Sequence, residues 1–223
     1  MASVTKGNCY LCGGQFGKTA MKNHLIKAHA DYDGQGGPQK CFLLKIEGAH
    51  AKGYWLYVDV PVTAALSSVD SFLRKIWLEC CGHMSAFSIP GGLNEIGKSR
   101  KLGDIFPYQD KLMHEYDFGT PTDTLITVVG ETTRKTQKAS VRLLARNVPP
   151  AFLCSSCGEP ATVICAECVY DSDNPFFCDA CGESHEHCDT LLPVTNSPRI
   201  GDCGYDGAMD VYEFYPQMLS GKR

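Results

Sequence analysis

The chain has 223 residues, 43% hydrophobic and 21% charged, an ordinary globular composition that excludes a disordered chain. It lacks the apolar run of about 18 residues that a spanning helix needs, and no hydrophobic stretch follows Met1, so neither a membrane span nor a secretory leader is expected and the expected location is cytoplasmic. The net charge of −4 is uneven: residues 1–40 carry +3, residues 41–150 carry +2, and residues 151–223 carry −9. A polyanion that met the first stretch would be repelled by the last, which suggests two tasks rather than one. Thirteen cysteines in a chain with no export signal point to metal rather than to disulfides.

The first constellation is Cys9, Cys12, His24 and His29, with two residues between the first pair and four between the second. Two thiolates from a turn and two imidazoles from one helix face suit tetrahedral zinc. Phe16 and Met21 stand where the small core of a two-Cys, two-His finger needs apolar groups. Residues 7–30 resemble that family, with a central spacer of 11 residues, and residues 1–37 form a first domain. The resemblance places the base-reading positions at Gly17, Ala20 and Asn23. Only Asn23 offers a bidentate contact, to adenine, while Lys6, Lys18, Lys22 and Lys27 can meet phosphates. One finger covers about 3 bp, so the readings are weak DNA or RNA docking or a folding and protein-contact knuckle.

Gln35-Gly-Gly-Pro38 reads as a linker, and residues 38–150 read as an α+β domain with a mixed sheet and one main helix. Strands are expected over 41–47, 54–62, 85–89, 112–117, 125–131 and 139–145, with the polar segment 132–138 as a hairpin connection and 90–103 as a Gly-rich loop. Residues 67–79 form the clearest helix: Val69, Phe72, Leu73, Ile76 and Trp77 make one apolar stripe, Ser67 caps it, and Asp70 lies near its positive end. A β-grasp-like arrangement would satisfy this order. Cys41, Cys80 and Cys81 read as small buried apolar groups.

The run Phe42-Leu-Leu-Lys-Ile, the Trp55 strand, the helix, Gly82-His83 with Phe87, Lys101-Leu-Gly-Asp-Ile-Phe106 and Glu115-Tyr-Asp-Phe-Gly119 together resemble the Ri-plasmid (pRiA) open-reading-frame-three family over about residues 40–133. That resemblance implies a prokaryotic chain from a mobile-element or defence-type context and carries over no activity. Two departures stand out: Leu56-Tyr57 replaces a basic pair and Thr120 an acidic residue. The segment 192–205 looks like the ending of zinc-bearing members, which implies that residues 189–219 pack back on the body.

Residues 151–223 form a cysteine-rich module with four donor pairs, each with a two-residue gap: Cys154/Cys157, Cys165/Cys168, Cys178/Cys181 and His185/Cys188. Eight donors make two tetrahedral zinc sites, and Gly158 and Gly182 follow two of the pairs where a knuckle often needs positive φ. The alternation resembles the cross-brace of B-box, RING and ZZ modules. The resemblance groups Cys154, Cys157, Cys178 and Cys181 at one ion, and Cys165, Cys168, His185 and Cys188 at the other. B-box patterns end in histidines, so His187 is the alternative to Cys188, and Cys203 is a spare donor. Two adjacent ribbons would pair the same ligands sequentially. Phe176-Phe177 reads as the small core of this module.

Three closed zinc sites and no catalytic residue make the expected function a non-catalytic zinc adaptor that couples nucleic acid, through the basic finger, to a protein partner, through the acidic module. Two rivals stand beside it. One is a nuclease or recombinase accessory using His83, His114 and Asp117, which with Glu115 could form a hydrolytic or metal cluster. The other is a ligase-like interaction module. Asp117-Phe-Gly119 lacks the phosphate loop that would accompany it in a kinase.

Overall fold

The computed structural model describes residues 5–29, 37–92, 94–135, 140–209 and 211–216. Residues 35–36 of the linker expected at Gln35–Pro38 and residues 136–138 of the connection expected at 132–138 lie outside these residues.

Among the described residues nine strands form one sheet: β1 (Lys6–Cys9), β2 (Gln15–Gly17), β3 (Pro38–Gly48), β4 (Trp55–Pro61), β5 (Ser85–Ser88), β6 (Glu95–Ile96), β7 (Lys111–Tyr116), β8 (Thr122–Lys135) and β9 (Arg142–Asn147). Their order is β2-β1-β9-β4-β3-β8-β7-β5-β6. The α+β class is as expected. The sheet, however, is not mixed, because every pairing among its described strands is antiparallel. A β-grasp needs a parallel pair, and here the long strand β3 instead pairs antiparallel on both sides, with β4 and β8.

The expected strands all form, and the structure adds three. β1 and β2 build the finger's hairpin, and β6 occupies part of the expected loop. β3 and β4 are buried on both faces, which explains their near-continuous apolar runs. Leu44, Ile46, Leu56 and Val58 face one core with Phe72, Ile76 and Trp77. Leu43, Trp55 and Tyr57 face another with Met21 and Leu25 of α1 (Lys18–Ala28). The finger is therefore built into the sheet: Gly7, Asn8 and Cys9 of β1 pair with Asn147, Arg146 and Ala145 of β9.

The main helix departs from the expected cap. α2 (Leu66–Leu73) starts after Ala65 and continues as a π-turn over Arg74–Leu78. No side chain caps it, because the backbone carbonyls of Lys98 and Arg100 accept from the amides of Ser67 (2.8 Å) and Leu66 (3.0 Å) and occupy the orphan donors. The π-turn closes with the Glu79 amide donating to the Arg74 carbonyl at 2.8 Å.

The C-terminal module has its own sheet, β11 (Phe176–Phe177), β10 (Val163–Cys165) and β12 (Leu191–Pro193), in the order β11-β10-β12. It also holds two short helical turns, α3 (Cys168–Asp171) and α4 (Asp179–Glu183). Beyond it the chain returns to the main sheet. The Ser197 hydroxyl donates to the Trp77 carbonyl (2.6 Å), and the buried Arg199 guanidinium donates to Asp117 (2.6 Å) and to Thr122 (3.0 Å).

Candidate metal centres

Among the described residues, cysteine and histidine donors converge in four places that could hold a metal ion. Zinc–sulfur bonds of about 2.3 Å and zinc–nitrogen bonds of about 2.0–2.1 Å in a tetrahedron set donors roughly 3.3–3.8 Å apart.

The first group is Cys9, Cys12, His24 and His29. Gly13 adopts φ 75°, so its amide donates back to the Cys9 carbonyl at 2.8 Å and curls the thiols together. His24 Nε2 lies 3.3 Å from Cys12 Sγ and 3.1 Å from His29 Nε2. Phe16 stacks on the His24 ring at 4.2 Å, and Met21 is fully buried.

The second group is Cys154, Cys157, Cys178 and Cys181, with Cys157 and Cys178 sulfurs 3.6 Å apart. Gly158 has the expected positive φ, 76°. Gly182 does not; it is needed for space, because a Cβ there would stand 3.0 Å from Leu191 Cδ1 and 3.1 Å from Val163 Cγ2. Four thiols this close cannot all ionise unaided. Burial would raise the Cys154 thiol, but the amides of Cys178, Cys157 and Ser156 pull it down to about 6. Its neighbours Cys178, Cys157 and Cys154 meanwhile push Cys181 up to about 12. A divalent cation at the centre removes that conflict.

The third group is Cys165, Cys168, His185 and His187. His185 Nε2 lies 3.2 Å from Cys168 Sγ, and His187 Nδ1 lies 3.7 Å from Cys168 Sγ and 3.8 Å from Cys165 Sγ. Phe177 stacks on His185 at 4.2 Å, and Phe176 stacks on Phe152 at 3.9 Å. The histidine alternative thus replaces Cys188, which is exposed and outside the group. The reason is local: residues 188–190 form a 3₁₀ turn, with the Cys188 amide donating to the His185 carbonyl at 3.1 Å.

The fourth group is Cys80, Cys81, His83 and Cys203. Cys41 is buried as expected, but Cys81 is exposed and Cys80 only half-buried, so the apolar reading of this pair is overturned. Cys203 joins them rather than the acidic module. No spacing rule finds this set, because 120 residues separate His83 from Cys203.

The nucleic-acid candidates fare unequally. Lys18 is half-buried and donates to Glu47 and to the Lys52 carbonyl, both at 2.7 Å. Lys22 is half-buried, while Asn23 and Lys27 are exposed on α1. The residues of the rival enzyme reading separate: His114 is fully buried on Asp70 (2.9 Å), whereas His83 faces Asp117 (3.4 Å).

No family model and no curated protein matches the chain. Among solved structures it is similar to a protein of unknown function from Methanosarcina mazei Go1, at 19% identity over 48% of this chain and 70% of that one, with a TM-score of 0.43. A likeness of that size carries no argument about fold or function. No helix among the described residues is long and apolar enough to cross a membrane.

Proposed function

We propose that the protein is a non-catalytic adaptor scaffolded by zinc, joining a nucleic acid at its basic finger to a protein partner at its acidic module. One observation carries this reading. Each donor group supplies four protein donors, which fills a tetrahedral ion and leaves no position for a reacting water. Charge supports the division of labour, since the first 40 residues carry +3 and the last 73 carry −9. With Lys18 committed to Glu47, the polyanion contact falls to Lys22, Asn23 and Lys27.

The test is titration of the zinc-loaded protein with fluorescent DNA and RNA at low salt. The expected result is micromolar or weaker binding that weakens as salt rises. Lys22→Glu with Lys27→Glu should weaken it by about tenfold or more. No binding to either nucleic acid, or an unchanged affinity in the double variant, would remove the nucleic-acid half of the proposal.

A further inference from the structure

We infer that Cys80, Cys81, His83 and Cys203 bind a fourth zinc ion, which pins the C-terminal tail to the central sheet. The donors come from two distant parts of the chain. Cys80, Cys81 and His83 follow the π-turn of the main helix, and Cys203 arrives with the tail after the acidic module.

The sulfur–sulfur separations suit an ion and not a disulfide. Cys81 Sγ lies 3.8 Å from Cys80 Sγ and 3.7 Å from Cys203 Sγ, the edge length of a tetrahedron of thiolates around zinc. A disulfide needs about 2.05 Å between sulfurs. His83 Nε2 completes the set, 2.9 Å from Cys81 Sγ and 3.2 Å from Cys203 Sγ. Three thiolates and one imidazole form a donor set that selects zinc over the harder calcium and magnesium.

The backbone is bent to this end. Among the described residues, the non-glycine positions with positive φ are Asp117 (67°) and Cys203 (47°), and both are at this centre. Gly201 (87°) and Gly204 (67°) flank Cys203, and Gly82 (82°) turns the chain between Cys81 and His83. Strain of this kind persists where surrounding structure over-determines it, and it gathers at functional sites.

A supporting shell is also present. Asp117 Oδ1 lies 3.4 Å from His83 Nδ1, the carboxylate–histidine arrangement that fixes the tautomer of a ligating imidazole. Asp117 is in turn held by the buried Arg199 guanidinium, 2.6 Å away. The Arg199 and Arg74 guanidinium groups each lie 4.9 Å from the centre of the Tyr116 ring, and the Tyr116 hydroxyl donates to Glu79 at 3.2 Å. Three thiolates and one Zn²⁺ leave a formal charge of −1, which Arg199 faces from the protein side.

The fourth centre differs from the other three in having no buried donor, so its ion is the most open to competing chelators. Native mass spectrometry of the reduced full-length protein should count four zinc ions, and three in Cys203→Ser. Alkylation gives a second readout that does not depend on a variant folding. Cys81 and Cys203, though exposed, should resist iodoacetamide in the zinc-loaded protein and become labelled first as a chelator is titrated in. Three ions in the wild type, four in Cys203→Ser, prompt labelling of Cys81 and Cys203 with zinc present, or a mapped Cys81–Cys203 disulfide would each overturn the assignment.

Discussion

Asp70 gathers four partners around one buried carboxylate. Ser85 Oγ donates to it at 2.6 Å, His114 Nε2 at 2.9 Å, Arg74 Nε at 3.2 Å, and Lys98 Nζ lies at 3.3 Å. Burial would raise its pKa, yet His114, Ser85 and Lys98 hold it well below the usual carboxylate range. Burial likewise keeps His114 below its ordinary value despite the carboxylate beside it, so the ring is neutral and donates through Nε2. A depressed carboxylate stabilises the fold fully above its unfolded pKa of about 3.9, and that contribution is lost as pH falls through the folded value. Asp70→Asn is therefore expected to cost about 3 kcal/mol at pH 7. In denaturant titrations of both proteins at several pH values, the difference should shrink below about pH 4. A constant difference would show that Asp70 acts through packing alone. The sequence marks Asp70 only as a residue near a helix start, because its partners Ser85, Lys98 and His114 lie 15, 28 and 44 positions away and no local pattern links them.

At the level of elements, most strands and the main helix are legible because their apolar residues recur at the period of the structure they adopt. The π-turn is not: a shift to i+5 hydrogen bonding, such as that from the Glu79 amide to the Arg74 carbonyl, leaves the apolar stripe intact. β1 is also hidden, since Lys6-Gly-Asn-Cys is short, polar and interrupted by glycine. That glycine is what lets the finger dock. A Cβ on Gly7 would stand 2.4 Å from both the Arg146 carbonyl oxygen and Trp55 Cη2. Gly7→Ala is expected to destabilise the protein by about 1–3 kcal/mol, as overpacking of a filled site does. Gly53→Ala, where a Cβ meets only Thr5 Cγ2 at 3.8 Å, is the matched control and should stay within about 0.5 kcal/mol. Equal stability of the two variants in urea would place the finger off the sheet.

Across the whole molecule, apolar burial is unequal. The core beside α2 includes 24 buried residues, whereas the acidic module's includes Cys154, Cys165 and Phe177. A module with so little core would depend for its folding on ions held by its donor groups. Removing zinc with a strong chelator should expose the amides of residues 152–193 to hydrogen exchange while β3, β4 and β8 stay protected. Simultaneous loss in both regions would mean that metal holds the central sheet as well. The donors of the first two groups are legible in the sequence through two-residue knuckles and, for His24 and His29, one helix face; in the third, Cys165, Cys168 and His185 are legible and His187 is legible as the alternative to Cys188. The fourth centre is not, since it exists only once the tail has crossed back to the sheet.

The two-sided burial of β4 reaches beyond stability. Trp55 and Tyr57 are covered by α1 and its hairpin, so the finger serves as a lid on an aromatic wall. Severing the chain near residue 37 would not release an independent reader and a sound remainder. It would strip that wall bare, and the leftover sheet would become adhesive. Whatever meets α1 therefore meets it at one fixed angle to the rest of the protein.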